Sequence, residues 1–207
     1  MNVMKKIVSV LIADCRNRGI WITFLMSFSY LIAVCRGFIF KIIYLRNIRG
    51  SIFFLQSKSR IEVFNKRARL NIGSFVFIRK NASIRVDYNG QLNIEEKVFI
   101  NDNCNINCIN KISIGSNTKI APNVCINDHD HNYKTNHDLH LLTGEVKIGQ
   151  NVWIGSNVVI LRDTVIGDNA VIAAGSIVKG EVPANSLFFN KRENSYIHSY
   201  YKEAATT

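Results

Sequence analysis

A short polar stretch carries the side chains in this chain that are best suited to chemistry. Its histidines and the aspartates beside the first two are His129, His131, His137, His140, Asp128 and Asp130. Imidazole exchanges a proton near neutral pH, so a positioned histidine can act as a general base that a neighbouring carboxylate orients. Imidazole is also a common zinc ligand. The residue types alone are compatible with three interpretations. The histidines could transfer protons, bind a metal, or lie in a loop without a chemical role.

The elements that must position this stretch repeat every six residues. From residue 148 to residue 183 each unit starts with a large aliphatic residue, and a small or β-branched residue follows four places later. The first set is Ile148, Ile154, Ile160, Ile166, Ile172 and Val178, and the second is Val152, Val158, Thr164, Ala170, Ser176 and Val182. A period of six fits neither a helix nor a strand. It indicates a chain that turns through a fixed angle at each unit, so that three units close a coil and the coils stack.

Weaker copies of the repeat precede this run. They begin at Ile72, Ile94 and Ile114, and together with the later units they make 15 hexapeptides, or about five coils. Ile126 and Ile148 are 22 residues apart, which does not fit the period. The polar histidine segment between them is therefore predicted to protrude from the coils as a loop, where functional residues are often found.

Three motifs carry a resemblance to a known family: NVWIG at 151–155, IGDNAVIAAGSIV at 166–178 and DHDH at 128–131. They resemble the hexapeptide-repeat acyltransferases, and most of all the maltose and galactoside O-acetyltransferase branch with its relatives that acetylate capsule and O-antigen sugars. The resemblance covers roughly residues 70–189. It implies an all-β solenoid, namely a left-handed parallel β-helix, that assembles as a homotrimer with active sites between subunits.

The resemblance also implies a reaction. Acetyl-CoA is the expected cosubstrate, no metal is expected, and a histidine is expected to deprotonate a hydroxyl of a bacterial surface-glycan sugar in capsule, O-antigen or a lipid-linked precursor. Alignment of the DHDH motif favours His131 as this base, with His129 as the reserve. Asp128 or Asp130 is expected to orient the ring.

The same resemblance assigns binding residues. Contacts with the acceptor and the acetyl end are expected from Asn101, Asn103 and Trp153. Contacts with the cofactor are expected from Gly155, Ser156, Ala174, Gly175, Ser176 and Lys179. Lys191 and Arg192 are expected to pair with the 3′-phosphate of CoA on the ground of their charge, since a cationic pair suits phosphate. The relatives end the last coil with a Gly-x-Pro-Ala-like turn, whereas this chain has Phe-Phe-Asn-Lys-Arg at 188–192. The form of the C-terminal wall of the cofactor site therefore stays open.

The sequence is also compatible with functions other than acetylation of a surface glycan. The acceptor could be serine or an amino sugar, and a β-helix of this kind could serve as a non-catalytic scaffold. The γ-class carbonic anhydrases share the β-helix and bind a metal through three histidines. Their ligands are widely separated, however, and the spacing of His129, His131, His137 and His140 does not reproduce that arrangement.

Charge is unevenly distributed. The formal net charge is +11, and residues 1–50 hold eight Lys or Arg against one Asp, which is +7 of that total. A basic end is typical of a surface that meets anionic lipid or a phosphate-bearing substrate, and no nucleic-acid motif accompanies it. The five cysteines are odd in number and form no CxxC, which favours free thiols in a reducing cytoplasm.

Residues 19–35 form a run of 17 residues without a charge, flanked by arginines on both sides. A membrane-spanning helix needs ~20 apolar residues. Three interpretations compete: a helix packed on the β-helix or on a trimer partner, a helix in the membrane interface, and a true span. No cleavable signal is apparent, so we expect a cytoplasmic protein, peripheral at the inner face of the membrane if the run meets lipid. The predicted regions are a helical region at 1–56, the β-helix at 57–189 and a tail at 190–207 that caps its open end.

Overall fold

The computed structural model describes residues 3–133 and 140–191. The chain begins with two helices, α1 (Val3–Arg18) and α2 (Ile20–Ile43), which are joined at Gly19 with a positive φ of 86°. Short strands follow α2 through the rest of the described chain. They are β1 (Ile48–Gly50), β2 (Phe54–Leu55), β3 (Arg60–Val63), β4 (Arg69–Ile72), β5 (Phe77–Ile78), β6 (Ser83–Val86), β7 (Gln91–Ile94), β8 (Phe99–Ile100), β9 (Asn105–Cys108), β10 (Lys111–Ile114), β11 (Lys119–Ile120), β12 (Cys125–Asn127), β13 (His129–His131), β14 (Leu141–Thr143), β15 (Glu145–Ile148), β16 (Trp153–Ile154), β17 (Val159–Ile166), β18 (Val171–Ile172), β19 (Ile177–Val182) and β20 (Leu187–Phe188).

All of these strands except β13 and β14 stack in parallel on three faces of a β-helix. Face 1 contains β1, β4, β7, β10, β15 and the second halves of β17 and β19. Face 2 is a seven-stranded sheet of β2, β5, β8, β11, β16, β18 and β20. Face 3 contains β3, β6, β9, β12 and the first halves of β17 and β19, which bend around the corner from face 3 to face 1 between Ile160 and Thr164. Each coil thus passes through faces 1, 2 and 3 in turn.

The core consists of the two residue sets that the six-residue period predicts. The aliphatic set is buried at every coil, as at Ile154, Ile160 and Ile172, and the small set is buried as well, as at Val158 and Ala170. Each six-residue unit from 148 to 183 therefore contributes one large aliphatic side chain to the interior, where the coils above and below bury it. The predicted parallel β-helix of hexapeptide repeats with an N-terminal helical region is confirmed.

Asparagine forms many of the corners. Among the described residues that adopt a positive φ, the asparagines are Asn81, Asn103, Asn117, Asn123, Asn151, Asn157, Asn169 and Asn185. Asparagine tolerates this left-handed conformation better than most residues with a side chain. The corner side chains also bond from coil to coil, as Asn151 Nδ2 donates to Asn169 Oδ1 at 2.8 Å and Asn169 Nδ2 donates to Asn185 Oδ1 at 3.0 Å.

The β-helix starts earlier and has more coils than the sequence pattern predicts. Its first strand begins at Ile48 and pairs with β4, so the boundary predicted at residue 56 falls inside the first coil. Face 2 carries seven strands, where about five coils were predicted. The first coil escapes the pattern because its buried residues Ile48, Leu55 and Ile61 are not evenly spaced by six.

Helix α2 covers the open edge of the first coil. The Arg36 guanidinium donates to the carbonyl oxygens of Leu55 at 3.2 Å and Ser59 at 2.9 Å. Lys41 Nζ donates to the carbonyl oxygen of Gly50 at 2.7 Å. These bonds satisfy backbone oxygens that no preceding coil can reach, and a covered edge cannot pair with another chain. Of the tail at 190–207 that the sequence predicts to cap the other end, residues 192–207 lie outside the described residues.

Candidate active site

The histidine segment leaves the β-helix at the corner from face 3 to face 1. Strands β13 and β14 pair in antiparallel fashion, with His129 opposite Thr143 and His131 opposite Leu141. The N–H of Gly144 donates to the carbonyl oxygen of Asp128 at 2.8 Å and closes the base of this hairpin. The predicted protrusion between Ile126 and Ile148 is therefore present, and residues 134–139 within it lie outside the described residues.

Asp128 is the anchor of this corner. Its side chain is 0% exposed, and its carboxylate accepts the backbone N–H groups of Ile109 at 3.0 Å and Asn110 at 2.8 Å. These donors belong to the preceding coil, where the chain turns the same corner. A buried carboxylate needs such donors because desolvation of an unpaired charge is costly. The stacking of coils thus fixes the position of this side chain.

His129 is oriented by Asp128. Nδ1 of its imidazole lies 2.9 Å from Oδ1 of Asp128, and its side chain is 21% exposed. A carboxylate accepts hydrogen bonds, so this contact favours the tautomer in which Nδ1–H donates to Asp128. Nε2 then has a lone pair available on the side away from the aspartate. A histidine in this state can take a proton from a hydroxyl, and the carboxylate stabilises the imidazolium that forms.

His131 and Asp130 have different surroundings. His131 is exposed and lies further along the hairpin strand. Asp130 accepts a hydrogen bond from Arg162 Nε at 2.9 Å, and Arg162 also pairs with Asp163. The structure thus brings together Asp128 with His129, and Asp130 with Arg162. Arg162 is a contributor that sequence reasoning missed, because it is 32 residues from its partner and had no motif of its own.

Two further asparagines lie beside the corner and were also missed. Asn127 directly precedes Asp128, and Asn107 is its register partner on β9 of face 3. Asn107 Nδ2 donates to Asn127 Oδ1 at 2.8 Å, and Asn127 Nδ2 lies 3.3 Å from Cys125 Sγ. Both side chains alternate with buried neighbours and so point outward from face 3. The alternation of Asn with Ile or Cys in this part of the sequence was the available signal.

Asn101 and Asn103 lie at another corner, the one from face 2 to face 3. Asn101 Oδ1 accepts the N–H of Asp102 at 2.8 Å. Asn103 has a φ of 61° and bonds Asn123 of the next coil at 3.2 Å. Both side chains therefore take part in corner geometry, and the structure does not bring them to His129.

The predicted cofactor residues are divided among several places. Gly155, Ser156, Ala174 and Gly175 stack on one another at the corner from face 2 to face 3, where Gly175 N–H donates to Ser156 O at 2.8 Å. A Cβ on Gly155 would lie 2.6 Å from the nitrogen of Ala174, so coil stacking already requires glycine there. Ser176 is only 2% exposed and faces the core, so the predicted contact with the cofactor is not available to its side chain.

The remaining candidates are exposed. On face 3, Ile126, Ile160 and Val178 occupy the same position in three successive coils. Asn127 follows the first of them and Lys179 follows the last, so Lys179 lies two coils beyond Asn127. Trp153 is exposed on face 2, and Lys191 is exposed after the last strand. Arg192 lies outside the described residues. Within residues 3–133 and 140–191, no three His, Cys, Asp or Glu side chains are grouped so that they could hold a metal ion.

Comparison with known proteins identifies the family. The family model for the bacterial transferase hexapeptide (six repeats) matches residues 145–180. A galactoside O-acetyltransferase of Escherichia coli K12 is 31% identical over 176 residues, which are 76% of this chain and 86% of the relative. A putative lipopolysaccharide biosynthesis O-acetyl transferase, WbbJ, of the same organism is 35% identical over 109 residues, 47% of this chain and 56% of that relative.

A solved structure agrees with these sequences. A maltose O-acetyltransferase from Clostridium difficile 630 is 31% identical, with a TM-score of 0.50 over 71% of this chain and 67% of that one. The resemblance that the motifs carry is thus confirmed by similarity that extends through most of the β-helix. The chain belongs to the hexapeptide-repeat O-acetyltransferase family.

Proposed function

We propose that this protein transfers the acetyl group of acetyl-CoA to a hydroxyl of a sugar in a bacterial surface glycan or its lipid-linked precursor. The names of its relatives support a sugar acceptor, since they are a galactoside, a maltose and a lipopolysaccharide O-acetyltransferase. The observation that carries the chemistry is the buried Asp128 carboxylate against Nδ1 of His129.

We infer that His129 is the general base. Its ring is held in one tautomer by a carboxylate that is itself held by two backbone N–H groups. His131 is exposed on the hairpin, so it lacks a comparable constraint on its orientation. The preference for His131 that came from motif alignment remains a prediction, and replacement of each histidine separates the two.

The reaction needs one proton relay and no covalent enzyme intermediate. Nε2 of His129 takes the proton of the sugar hydroxyl while the oxygen attacks the thioester carbonyl carbon. The tetrahedral intermediate bears its negative charge on the former carbonyl oxygen, where a backbone N–H can stabilise it by ~3–4 kcal/mol. When the intermediate collapses, the carbon–sulfur bond breaks and the imidazolium returns the proton to the CoA sulfur.

Face 3 offers groups for both substrates beside this base. The amides of Asn107 and Asn127 point outward next to Asp128 and can bond the hydroxyls of an acceptor sugar. Lys179 lies two coils away, which is roughly 10 Å at the usual strand spacing. Its exposure supports the proposal that the Lys179 ammonium binds a phosphate of the cofactor while the acetyl end reaches His129.

We further propose that the protein forms a homotrimer. Face 2 exposes a row of apolar side chains on consecutive coils, at Trp153, Val171 and Leu187. A continuous apolar row on a rigid face is typical of a subunit interface. Light scattering should give three times the monomer mass, and Leu187→Asp should lower it. A monomer mass for the native protein would refute the proposed homotrimer.

Transfer of labelled acetyl groups tests the function directly. The purified protein is incubated with labelled acetyl-CoA and separately with galactosides, glucosides, amino sugars and serine, and products are identified by mass spectrometry. Esters on sugar hydroxyls are expected. Exclusive formation of amides, or of O-acetylserine, would replace the proposed acceptor with one of the alternatives.

Binding of acetyl-CoA separates an enzyme from a scaffold. A ligand at about 100 times its Kd stabilises the folded state by about 2.7 kcal/mol, which shifts the unfolding midpoint visibly. The native protein is therefore expected to melt at a higher temperature with acetyl-CoA. A folded protein whose Tm does not respond to acetyl-CoA, and which transfers no label, would support the scaffold.

A further inference from the structure

The helical pair α1–α2 exposes an unusually large apolar surface. Its exposed apolar side chains include Val8, Leu11, Ile12, Ile20, Trp21, Ile22, Phe24, Leu25, Phe28, Leu31, Ile32, Phe38, Ile39, Ile42 and Ile43. Helix α2 is long and apolar enough to cross a membrane, and most of it is not buried in the protein. An apolar patch of this size on the outside of a protein marks a surface that another apolar phase covers.

The exposed side chains surround the first part of α2 and do not form a stripe. Ile20, Trp21 and Ile22 are consecutive and all exposed, and consecutive residues point about 100° apart around a helix. Phe24 and Leu25 are exposed as well. A partner helix or groove covers one stripe, whereas a helix with exposed apolar side chains on several sides needs a broader apolar phase such as lipid.

The attachment of α2 to the β-helix decides its orientation. Its second half is held by the bonds from Arg36 and Lys41 to the first coil. Its first half leans on face 2, where Tyr30 contacts Phe77 edge-on at 5.7 Å. If α2 crossed a bilayer in this position, face 2 with the charged side chain of Arg79 would enter the hydrocarbon. The arrangement therefore fits a helix that lies in the membrane interface.

The charges near the helices match an anionic surface. Residues 1–50 carry a net +7, and Lys5, Arg16, Arg46 and Arg49 are exposed there. Each basic residue near a membrane with anionic lipid contributes about 1 kcal/mol to binding. Two copies of this chain that met through the same surface would instead bring +7 against +7. Charge thus favours lipid over a second copy as the occupant.

We propose that α1 and α2 dock this protein on the surface of an anionic phospholipid bilayer, with α2 lying in the interface. The inference does not depend on acetyl transfer, since it rests on the exposure, charge and attachment of the helices alone. It adds a location to the enzyme, because the β-helix would then be held at the surface where lipid-linked acceptors are present.

Co-flotation of the 207-residue chain with vesicles tests the proposal. Vesicles of phosphatidylcholine with phosphatidylglycerol are compared with vesicles of phosphatidylcholine alone. Strong binding to the anionic vesicles is expected, weakened by salt. Replacing Arg16, Arg46 and Arg49 by Gln is expected to lower the partition coefficient about fivefold for each charge. Binding that is equal on both vesicles, or absent from both, would overturn the proposal.

A matched pair of variants tests the apolar contact. Phe24 on α2 and Phe64 on the β-helix are each 56% exposed. Phe24→Ser is expected to weaken binding about tenfold, as the loss of a buried aromatic side chain would, whereas Phe64→Ser is expected to change it less than twofold. Equal effects of the two replacements would count against docking through α2. Circular dichroism confirms that each variant is folded.

A spectroscopic measurement avoids changes in the helices altogether. The chain has two tryptophans, so Trp153→Phe leaves Trp21 as the reporter. Its fluorescence is expected to shift to the blue on anionic vesicles and to be quenched by lipids brominated close to the headgroup. Quenching strongest by lipids brominated near the chain ends would indicate a span, and no quenching together with a larger oligomer would indicate a second copy; either result refutes interfacial docking.

Discussion

Asp128 Oδ1 lies 2.9 Å from Nδ1 of His129, and the same carboxylate accepts the backbone N–H groups of Ile109 and Asn110. One buried side chain therefore connects the imidazole to the coil that precedes it. The imidazole ring is therefore held in place by the β-helix, although His129 belongs to a hairpin that leaves the coils.

Replacement of the two hairpin histidines should have unequal effects. His129→Ala removes the oriented base and is expected to lower kcat by about 10²–10⁴-fold. His131→Ala is expected to change kcat less than threefold, and His140→Ala serves as a second control. The measurement is the steady-state rate of acetyl transfer at saturating acetyl-CoA. A large loss in the His131 variant with an active His129 variant would restore the order that motif alignment favours.

Asp128→Asn should affect both stability and rate. The amide cannot accept from two backbone N–H groups and the imidazole as a carboxylate does, so a stability loss of about 1–3 kcal/mol is expected. Loss of the Nδ1 acceptor is expected to lower kcat at least 10²-fold, since the ring can adopt the wrong tautomer. Urea unfolding and acetyl transfer are measured on the same preparation.

A second corner carboxylate provides the comparison for that variant. Asp168 accepts the N–H of Gln150 at 2.9 Å at the corner from face 1 to face 2, which is not the corner of the histidines. Asp168→Asn is expected to reduce stability while kcat is unchanged. If Asp128→Asn retained full activity, the aspartate would have only a structural role.

The ion pair of Arg162 with Asp130 should position the hairpin. Arg162→Gln is expected to lower kcat/KM about 3–10-fold, as expected for the loss of a half-buried charged hydrogen bond of about 1 kcal/mol. Asp130→Asn should have a similar effect, and the double variant should lose little more than either single one.

Arg79 offers a matched control because it bonds Asp102 with nearly the same geometry, at 3.0 Å, on a different corner. Arg79→Gln is expected to leave kcat/KM unchanged. Equal losses in the Arg79 and Arg162 variants would show that general stability, and not hairpin position, is responsible.

The buried thiols should make stability fall at alkaline pH. Burial raises the pKa of Cys104 from 9.0 to about 11, and burial together with the neighbouring Asp128 raises the pKa of Cys108. Above pH 9 the unfolded chain loses these protons while the folded protein keeps them, so the free energy of unfolding declines as pH rises toward 11.

Cys104→Ala isolates one part of that decline. The variant is expected to be less stable than the native protein at pH 8, and the difference should shrink by about 2–3 kcal/mol between pH 8 and pH 11. Urea unfolding at several pH values measures it. Parallel curves for the two proteins would mean that the Cys104 thiol does not retain its proton in the folded state.

The amino-acid sequence alone determined the β-helix and the region of its chemistry. Ile154 and Ala170 belong to two sets of residues that each repeat every six positions and lie four positions apart, and local geometry is enough to place both sets inside a three-sided coil. Asparagine corners and the polar segment that breaks the period follow from the same short-range pattern. The motifs in this run also identified the family.

Only the tertiary structure decided which groups meet. His129 differs from His131 because Asp128 is buried beneath the corner of Ile109 and Asn110, residues almost one coil earlier in the chain. Arg162 reaches Asp130 across 32 residues, and α2 covers the first coil through Arg36. Such contacts depend on how the coils stack and on which corners align. A six-residue period in the sequence specifies neither of these, because it describes only residues that are close together in the chain.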